Sequence, residues 1–289
     1  MKIKNILMQE KFSLSFEVFP PVREGNIETL FSTIQELKEL KPDFISVTYG
    51  AGGRTKDTSL EIASKVKNDF GMDVLAHLTC VQATKNDIAR ILSDFSNEHI
   101  DNILALRGDP PEGETRFKKI EGGFGYASDL VEFIRSNRDF CIGVAGYPEG
   151  HPEAPSIEAD LINLKKKIDA GADFIITQLF LDNDCFYNFR DRALKMKIHL
   201  PIIPGIFPIL NSKQIKRMVS LSGVKIPPKL GDKLEKYRDN PQDIEKYGIE
   251  FATLQALDLL KNETCGLHIY CMNKSFHVKK ILKDLNLPI

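Results

Sequence analysis

The sequence has no tryptophan, and its few cysteines lack the spacing of a structural framework. Among 289 residues there are five cysteines, an odd number, and they are widely separated with no Cys-x-x-Cys pair. This pattern is typical of reduced thiols and argues against a disulfide-stapled fold or a zinc-binding cysteine cluster. We therefore expect a cytoplasmic protein.

An excess of charge of either sign and a long apolar run are also missing. The chain carries 39 Lys and Arg against 40 Asp and Glu, which leaves a formal net charge of −1. This balance argues against a nucleic-acid partner, which normally selects a basic surface. No run approaches the roughly 18 apolar residues of a membrane span, and the N-terminal apolar run is too short for a signal peptide. We therefore expect no membrane partner.

The common nucleotide and nucleophile motifs are absent as well. The sequence has no Gly-x-x-x-x-Gly-Lys-[Ser/Thr], which excludes a P-loop NTPase, and no Gly-x-Ser-x-Gly elbow. The run from Gly50 to Thr55 approximates Gly-x-Gly-x-x-Gly but ends in threonine, so a Rossmann fold is not supported. The six histidines show no metal-ligand spacing, and we expect no metal site.

Short runs of β-branched and aromatic residues alternate with amphipathic stretches. In Thr29–Leu40, for example, Leu30, Ile34 and Leu37 fall on one face of a 3.6-residue period. The predicted strands are Ser13–Phe19, Phe44–Thr48, Val74–Thr79, Asn102–Leu106, Cys141–Tyr147, Phe174–Gln178, Ile202–Ile206 and Leu267–Tyr270. The predicted helices are Asn26–Leu40, Lys56–Phe70, Lys85–Asn97, Ala127–Arg135, Ile157–Ala170, Asp184–Met196, Ser212–Leu221 and Ser275–Leu285.

Strand–helix alternation with apolar strands predicts a parallel sheet covered by helices. Eight such units indicate an α/β protein with a closed (β/α)8 TIM barrel, which we expect to fill residues 1–289 as a single domain. An open doubly wound sheet is the alternative. We predict a charged helical insertion near 222–261, and we expect the long Gly- and Pro-rich loop Arg107–Tyr126 to be functional.

Polar residues gather where the predicted strands end. In a parallel barrel these ends meet at one face, and that face carries the site. The segments concerned are SFEVFPP, VTYGAGG, AHLTC, ALRGDPP, AGYPEGHPE, TQLF and HIYCMNK. We therefore expect the functional site at the carboxyl ends of the strands.

Glu17 lies inside the apolar run SFEVFPP. A carboxyl group among apolar side chains resists ionisation, and a carboxylic acid that keeps its proton suits general acid catalysis. Two other interpretations stay open on spacing alone. Glu17 is then either a strand residue on the solvent side of the pleat or the partner of an Arg or Lys.

Other polar residues at the strand ends also allow two interpretations. Arg107 and Asp109 flank Gly108 and form either a ligand-binding pair or a surface turn with a local salt bridge. His77 either binds a ligand or is a hydrogen-bonded core histidine. A further group, on or near one predicted helix, either faces a dinucleotide or forms a solvated surface: Asp160, Asn163, Lys166 and Lys167.

These segments together resemble the methylenetetrahydrofolate reductase family. The matching strings are SFEVFPP, PDFISVTYGAGG, HLTC, LALRGDPP, YASDLV, GYPEGHPEA, DLINLKKKIDAGADFIITQLFLD, IIPGIFPI and the segment Tyr270–Lys274, in the family's order. The resemblance implies a TIM barrel with non-covalent FAD and with NADH or NADPH as co-substrate. It implies the short bacterial type, in which no regulatory domain follows the barrel. We expect a homo-oligomer, and an accessory electron-transfer subunit stays open.

The resemblance also implies roles for individual residues. Glu17 matches the family's general acid, and Asp109 matches a catalytic carboxylate near the flavin and the pterin. The implied cofactor contacts are Thr48, Tyr49, Ala51, His77, Arg107, Gly108, Asp109, Tyr126, Ala127, Tyr147, His151, Ala154, Asp160, Asn163, Lys166 and Lys167. The implied substrate contacts are Asp109, Gln178, Gln214, Met218 and Lys274.

Two positions depart from some relatives. Met218 stands where these have Phe, and Lys274 stands where they have Arg. Methionine can still cover a flat ring, though less rigidly, and lysine can neutralise a folate carboxylate without a bidentate contact.

The activity that the resemblance implies is reduction of 5,10-methylenetetrahydrofolate to 5-methyltetrahydrofolate, which supplies methyl groups for methionine synthesis. A pyridine nucleotide reduces the flavin first, and the folate, opened by a proton from Glu17, is reduced second. Two alternatives remain, namely another flavin-dependent TIM-barrel oxidoreductase and a catalytically silent partner subunit of a folate-pathway complex.

Overall fold

The computed structural model describes residues 1–9, 12–21, 26–49, 56–110, 113–114, 116–285 and 287. The strands in these ranges are β1 (Ser13–Val18), β2 (Phe44–Val47), β3 (Asp73–Thr79), β4 (Asn102–Leu106), β5 (Cys141–Gly146), β6 (Phe174–Thr177), β7 (Ile202–Ile203), β8 (Gly205–Ile206) and β9 (Gly266–Tyr270). The helices are α1 (Ile3–Leu7), α2 (Ile27–Lys38), α3 (Lys56–Asn68), α4 (Lys85–Asn97), α5 (Ala127–Asn137), α6 (Ile157–Asp169), α7 (Asn183–Lys195), α8 (Ser212–Ser222), α9 (Pro228–Lys236), α10 (Pro241–Lys261) and α11 (Ser275–Lys283).

The strands form one parallel sheet in the order β7-β6-β5-β4-β3-β2-β1-β9-β8. β7 and β8 are the two halves of the predicted strand Ile202–Ile206, and they part at Pro204, which has no N–H to give to a ladder. β7 pairs with β6 and β8 pairs with β9, so this short segment joins the two ends of the sheet. The predicted TIM barrel is confirmed, and the open sheet is excluded.

Alternation along each strand divides the interior in two. On β1, the side chains of Leu14, Phe16 and Val18 are fully buried in the core between strands and helices. Ser15 and Glu17 point the other way, into the barrel, as the two-residue period of a strand requires. The helices cover the outside. α4, for example, begins with a capping box of Thr84 and Asp87 and turns an apolar stripe inward.

The amino-terminal end of the barrel is closed by apolar packing. Helix α1, which the sequence patterns do not predict, buries Ile3 and Leu7 against Phe44 and Phe174 in a cluster of its own. The backbone N–H of Ile3 donates to Asn102 Oδ1 at 2.7 Å, which fixes the helix to the start of β4. This end of the barrel is therefore filled by side chains.

Helices α9 and α10 occupy the region between α8 and β9. α9 begins at Pro228 directly after Pro227, a position where the missing N–H of proline is harmless. Leu230, Leu234 and Ile244 from these helices join a separate apolar cluster with Phe207 of the carboxyl-terminal face. The helices thus buttress one wall of that face. Within the described ranges, no helix is long and apolar enough to cross a membrane.

Candidate active site

A cavity of about 450 Å³ opens at the carboxyl ends of the strands. This is the face on which parallel barrels carry their sites, and the volume lies within the range of ligand pockets. The predicted site residues that line it are Glu17, Thr48, Tyr49, His77, Arg107, Gly108, Asp109, Tyr147, His151, Gln178 and Met218. The fold thus brings together residues spread over two hundred positions of the sequence.

Glu17 lies in the wall of this cavity, with 18% of its side chain exposed. Its Oε2 atom lies 3.4 Å from His268 Nε2 and 3.5 Å from His77 Nε2. The apolar neighbours in the sequence pack on the opposite face of β1, so the carboxylate faces imidazoles. Among the described residues no Arg or Lys pairs with it, and it does not point to the outer surface.

The two histidines are buried and each is held by a serine. His77 Nε2 lies 2.7 Å from Ser46 Oγ, and His268 Nδ1 lies 2.8 Å from Ser15 Oγ. Burial lowers the pKa of His77 to about 4, against the opposing pull of the Glu17 carboxylate. His77 is therefore a neutral imidazole at neutral pH.

The segment Arg107–Asp109 forms the rim next to β4. The guanidinium of Arg107 donates two hydrogen bonds of 2.7 Å to the Glu153 carboxylate and lies 5.0 Å from the centre of the Phe117 ring. Gly108 has a φ of +89°, and a Cβ there would come within 3.0 Å of Thr79 Cβ, so glycine is required. Asp109 follows as an exposed carboxylate at the mouth of the cavity.

Several predicted cofactor contacts cluster behind β5. The rings of Tyr147 and His151 meet edge-on at 4.7 Å, and Lys167 Nζ donates to the backbone oxygen of Ala145 at 2.6 Å. Burial lowers the pKa of Lys167 to about 8, opposed by the charge of Asp160. Burial also raises the pKa of Asp160, although the nearby Lys167 opposes this. The pair therefore forms a partly desolvated patch of opposite charges beside the cavity.

Other predicted cofactor contacts lie outside the cavity wall. Asn163 and Lys166 are exposed on α6 and bond to each other at 3.3 Å. Tyr126, 68% exposed, caps α5, and Ala127 is its first residue. Ala154 N donates to His151 O at 2.9 Å in a turn. Ala51 lies outside the described residues.

Two predicted folate contacts also lie outside this wall, at helix starts. Gln214, in the first turn of α8, accepts a hydrogen bond of 2.8 Å from the backbone N–H of Leu210. Lys274 is exposed at the residue that precedes α11. In the described ranges, no group of three His, Cys, Asp or Glu side chains is placed to hold a metal ion.

Three further residues at the site were not singled out from the sequence: Thr79, His268 and Tyr270. The hydroxyl of Tyr270 donates to the backbone oxygen of Thr177 at 2.7 Å, and Thr79 Oγ1 is buried with no partner among the described residues. Period-two alternation could have found them, since each lies two positions from another inward-facing residue.

Comparison with known proteins identifies the family. The family model for methylenetetrahydrofolate reductase matches residues 2–286. The chain is also 38% identical to 5,10-methylenetetrahydrofolate reductase of Escherichia coli (strain K12), over 93% of this chain and 88% of that protein. This chain belongs to the methylenetetrahydrofolate reductase family. The resemblance drawn from the sequence is thereby confirmed.

Other members of the methylenetetrahydrofolate reductase family are longer. The chain is 42% identical to methylenetetrahydrofolate reductase (NADH) 1 of Arabidopsis thaliana, over 99% of this chain and 50% of that protein. It therefore spans about half the length of this plant relative, as it does for the relatives from Zea mays (40% identical over 95% of this chain and 48% of that protein) and Oryza sativa subsp. japonica (39% identical over 99% of this chain and 50% of that protein). Among solved structures, an uncharacterized protein from Clostridium thermocellum, described as binding two copies of 5-methyl-5,6,7,8-tetrahydrofolic acid, covers 97% of this chain at a TM-score of 0.66. The match covers 96% of that protein at 14% identity and shows a shared fold.

Proposed function

We propose that this chain reduces 5,10-methylenetetrahydrofolate to 5-methyltetrahydrofolate, using NADH or NADPH and non-covalent FAD. The observation that carries the proposal is the position of Glu17, a carboxyl group held against two buried imidazoles in the wall of the cavity. Family membership and the 38% identity to the Escherichia coli relative support it.

The residues around the cavity fit a flavin. Its volume suits a planar ring system, and the buried Thr79 hydroxyl, which has no partner among the described residues, is a donor that a polar ring edge would satisfy. Tyr49, His77 and Tyr147 would surround the ring system, while Lys167 is a cation suited to a phosphate. The chemistry that a bound FAD supplies is hydride transfer, which amino-acid side chains do not perform.

Glu17 supplies the proton that the folate needs. Protonation of N10 lets the bond between N10 and the methylene carbon break, with the electron pair going to N10 and a cationic iminium left on the N5 side. The ionised Glu17 that results lies within reach of the Nε2 atoms of two buried imidazoles. Asp109, exposed at the mouth of the cavity, would stabilise the cation by its charge.

Binding of the folate would also use the two helix starts. Lys274 is exposed and would neutralise a carboxylate of the folate tail, although as a point charge only. Gln214 offers an amide near the same face, and Met218 lines the cavity, where it would cover a flat ring. Gln178 and Thr48, also in the lining, would contact folate or nicotinamide in turn.

The NADH in the names of the plant relatives supports NADH as the electron donor. We further propose that the product feeds methionine synthesis and that the protein acts in the cytoplasm as a homo-oligomer. Turnover of 5,10-methylenetetrahydrofolate by the pure chain would show that no accessory electron-transfer subunit is needed.

The visible spectrum of the purified protein tests the proposal. We expect a yellow protein that releases FAD on denaturation, loses its colour on anaerobic addition of NADH or NADPH, and regains it with 5,10-methylenetetrahydrofolate. Release of FMN, or failure to bind added FAD, would contradict the cofactor. Reduction of the flavin by the nucleotide without reoxidation by the folate would indicate another flavin-dependent oxidoreductase. A protein that performs neither step would be a silent partner subunit.

A further inference from the structure

Five polar side chains form a continuous chain inside the barrel, from Ser15 through His268, Glu17 and His77 to Ser46. Ser15 Oγ lies 2.8 Å from His268 Nδ1, and His268 Nε2 lies 3.4 Å from Glu17 Oε2. The same Glu17 Oε2 lies 3.5 Å from His77 Nε2, which lies 2.7 Å from Ser46 Oγ. Ser15, Ser46 and His268 are fully buried. Among these five side chains, the family resemblance implies a catalytic role for Glu17 and a cofactor contact for His77, and it implies no role for the other three.

The group that faces Nε2 assigns the tautomer of His268. Nε2 lies 3.4 Å from Glu17 Oε2, so a ring protonated on Nε2 donates to this acceptor, whereas a ring protonated on Nδ1 would set two lone pairs against each other. In the tautomer with the proton on Nε2, the Ser15 hydroxyl donates to the free Nδ1 at 2.8 Å.

Rings on both sides hold the imidazole of His268 in this orientation. Phe44 stacks on it at a centroid distance of 6.4 Å, and Tyr270 meets it edge-on at 5.2 Å. The position of Nε2 is therefore set by packing as well as by Ser15, which is how a positioning residue is held.

Both histidines contact the same oxygen of Glu17. The Nε2 atoms of both imidazoles lie within 3.5 Å of Oε2, whereas Oε1 has no hydrogen-bond partner within the described residues. Two nearby donors are engaged elsewhere, since Tyr270 donates to Thr177 O and the Cys271 thiol donates to the backbone oxygen of Glu17. The proton of a protonated Glu17 is therefore best placed on Oε1.

We propose that His268, oriented by Ser15, is a positioning residue that donates to Glu17 Oε2 and so keeps the transferable proton on Oε1, facing the substrate. When the O–H bond at Oε1 breaks and the proton passes to folate N10, the negative charge left on the carboxylate is stabilised by the Nε2–H of His268. The inference rests on the proposed role of Glu17 as the acid, and it adds two residues that do not touch the substrate.

A pair of serine variants separates this role from packing. Ser13 and Ser15 are both fully buried on the interior face of β1, but Ser13 Oγ has no partner among the described residues. We expect Ser15→Ala to slow the folate step about 2- to 10-fold, the value of one neutral hydrogen bond, at unchanged KM for the folate. Ser13→Ala should leave both steps unchanged, and reduction of FAD by NADH should be unaffected in either variant.

Two variants of His268 provide the stronger test. His268→Gln keeps an N–H donor near the position of Nε2, and His268→Leu removes it. We expect His268→Leu to slow the folate step about 10- to 100-fold, with partial rescue in His268→Gln, while NADH still reduces the flavin normally. Equal loss in both variants, or equal loss in both half-reactions, would overturn the proposal.

Nitrogen NMR of histidine-labelled protein gives a readout that does not depend on turnover. The signals of His268, assigned by their loss in His268→Gln, should show a protonated Nε2 and an unprotonated Nδ1, and Ser15→Ala should shift this balance towards the other tautomer. A protonated Nδ1 in the wild-type protein would overturn the inference. Absence of folate turnover by the wild-type holoenzyme, with this tautomer present, would instead refute the proposed function.

Discussion

The two ends of the barrel interior use the same strands for opposite purposes. At the amino-terminal end, Phe44, Leu75 and Phe174 meet the side chains of α1 in a closed apolar layer. Two and four residues further along β2 and β3, the inward positions hold Ser46 with His77 and then Thr48 with Thr79. The interior therefore becomes polar towards the face where the cavity opens.

This gradient separates stability from chemistry along single strands. Phe44, Leu75 and Phe174 of the closed end contribute apolar burial and are not part of the cavity wall, whereas the open end places titratable groups in partly desolvated surroundings. A substitution at the closed end should therefore change the free energy of unfolding, and one at the open end should change a particular reaction step.

The largest effect on stability is expected at the closed end. Phe174 is fully buried there, and Phe174→Ala should lower the free energy of unfolding by about 3–5 kcal/mol because it leaves a cavity. Urea denaturation measures this change. Leu194→Ala is the control, because Leu194 is 58% exposed on α7 and its loss should change the free energy of unfolding by close to zero. A Phe174→Ala protein of unchanged stability that loses one half-reaction would break the distinction between the two ends.

An intermediate effect should come from the buried His77 and depend on pH. Its pKa is about 4 in the folded protein against 6.5 for the free group, so between these values the unfolded chain binds more protons. The protein should therefore lose stability as the pH falls from 6.5 to 4, by up to about 3 kcal/mol in total. His77→Asn should flatten this part of the profile of unfolding free energy against pH.

His199, whose side chain is exposed on the surface, supplies the histidine control for that experiment. His199→Asn should retain the wild-type slope between pH 6.5 and 4. The same slope in His77→Asn as in the wild type would show that His77 is not the group that titrates.

Substitution of Thr79 is expected to have two smaller effects, a gain in the stability of the cofactor-free protein and a loss of FAD affinity. Its buried hydroxyl has no partner in the described part of the chain, so Thr79→Val should stabilise the cofactor-free protein by about 1 kcal/mol. The same change should weaken FAD binding about tenfold if the hydroxyl bonds to the ring. Thermal unfolding and FAD titration check the two signs, with Thr79→Ser as the conservative control. Unchanged FAD affinity in Thr79→Val would place this hydroxyl outside the cofactor site.

The fold could be predicted from the sequence because each unit is local. Predicted and observed bounds of the eight barrel helices differ by no more than two residues at either end. The split at Pro204 and the small helix α1 were missed for physical reasons. Two strands of two residues each, on either side of a proline, are too short to show the apolar alternation of a strand. A five-residue helix is too short to show the 3.6-residue apolar period of a helix.

Alternation marks His268 as inward-facing, but its contact with Glu17 could not be predicted, because the contact depends on register between strands distant in the sequence. Ser15 pairs with His268 and Glu17 with Tyr270 only once β1 lies beside β9. The apolar neighbours of Glu17 in the sequence suggested apolar surroundings, but alternation turns them away from the carboxylate. A strand sequence shows its two faces, and it does not show which residue of another strand will lie opposite.

Stopped-flow measurement of both half-reactions in Glu17→Gln tests directly whether Glu17 is the acid of the folate step. Glutamine keeps the size and hydrogen bonding of the side chain but has no proton to transfer to N10. We predict near-normal reduction of FAD by NADH and a folate step slowed by about 10²- to 10⁴-fold, the usual contribution of one general acid. Equal impairment of both half-reactions, or a normal folate step, would show that Glu17 is not the acid.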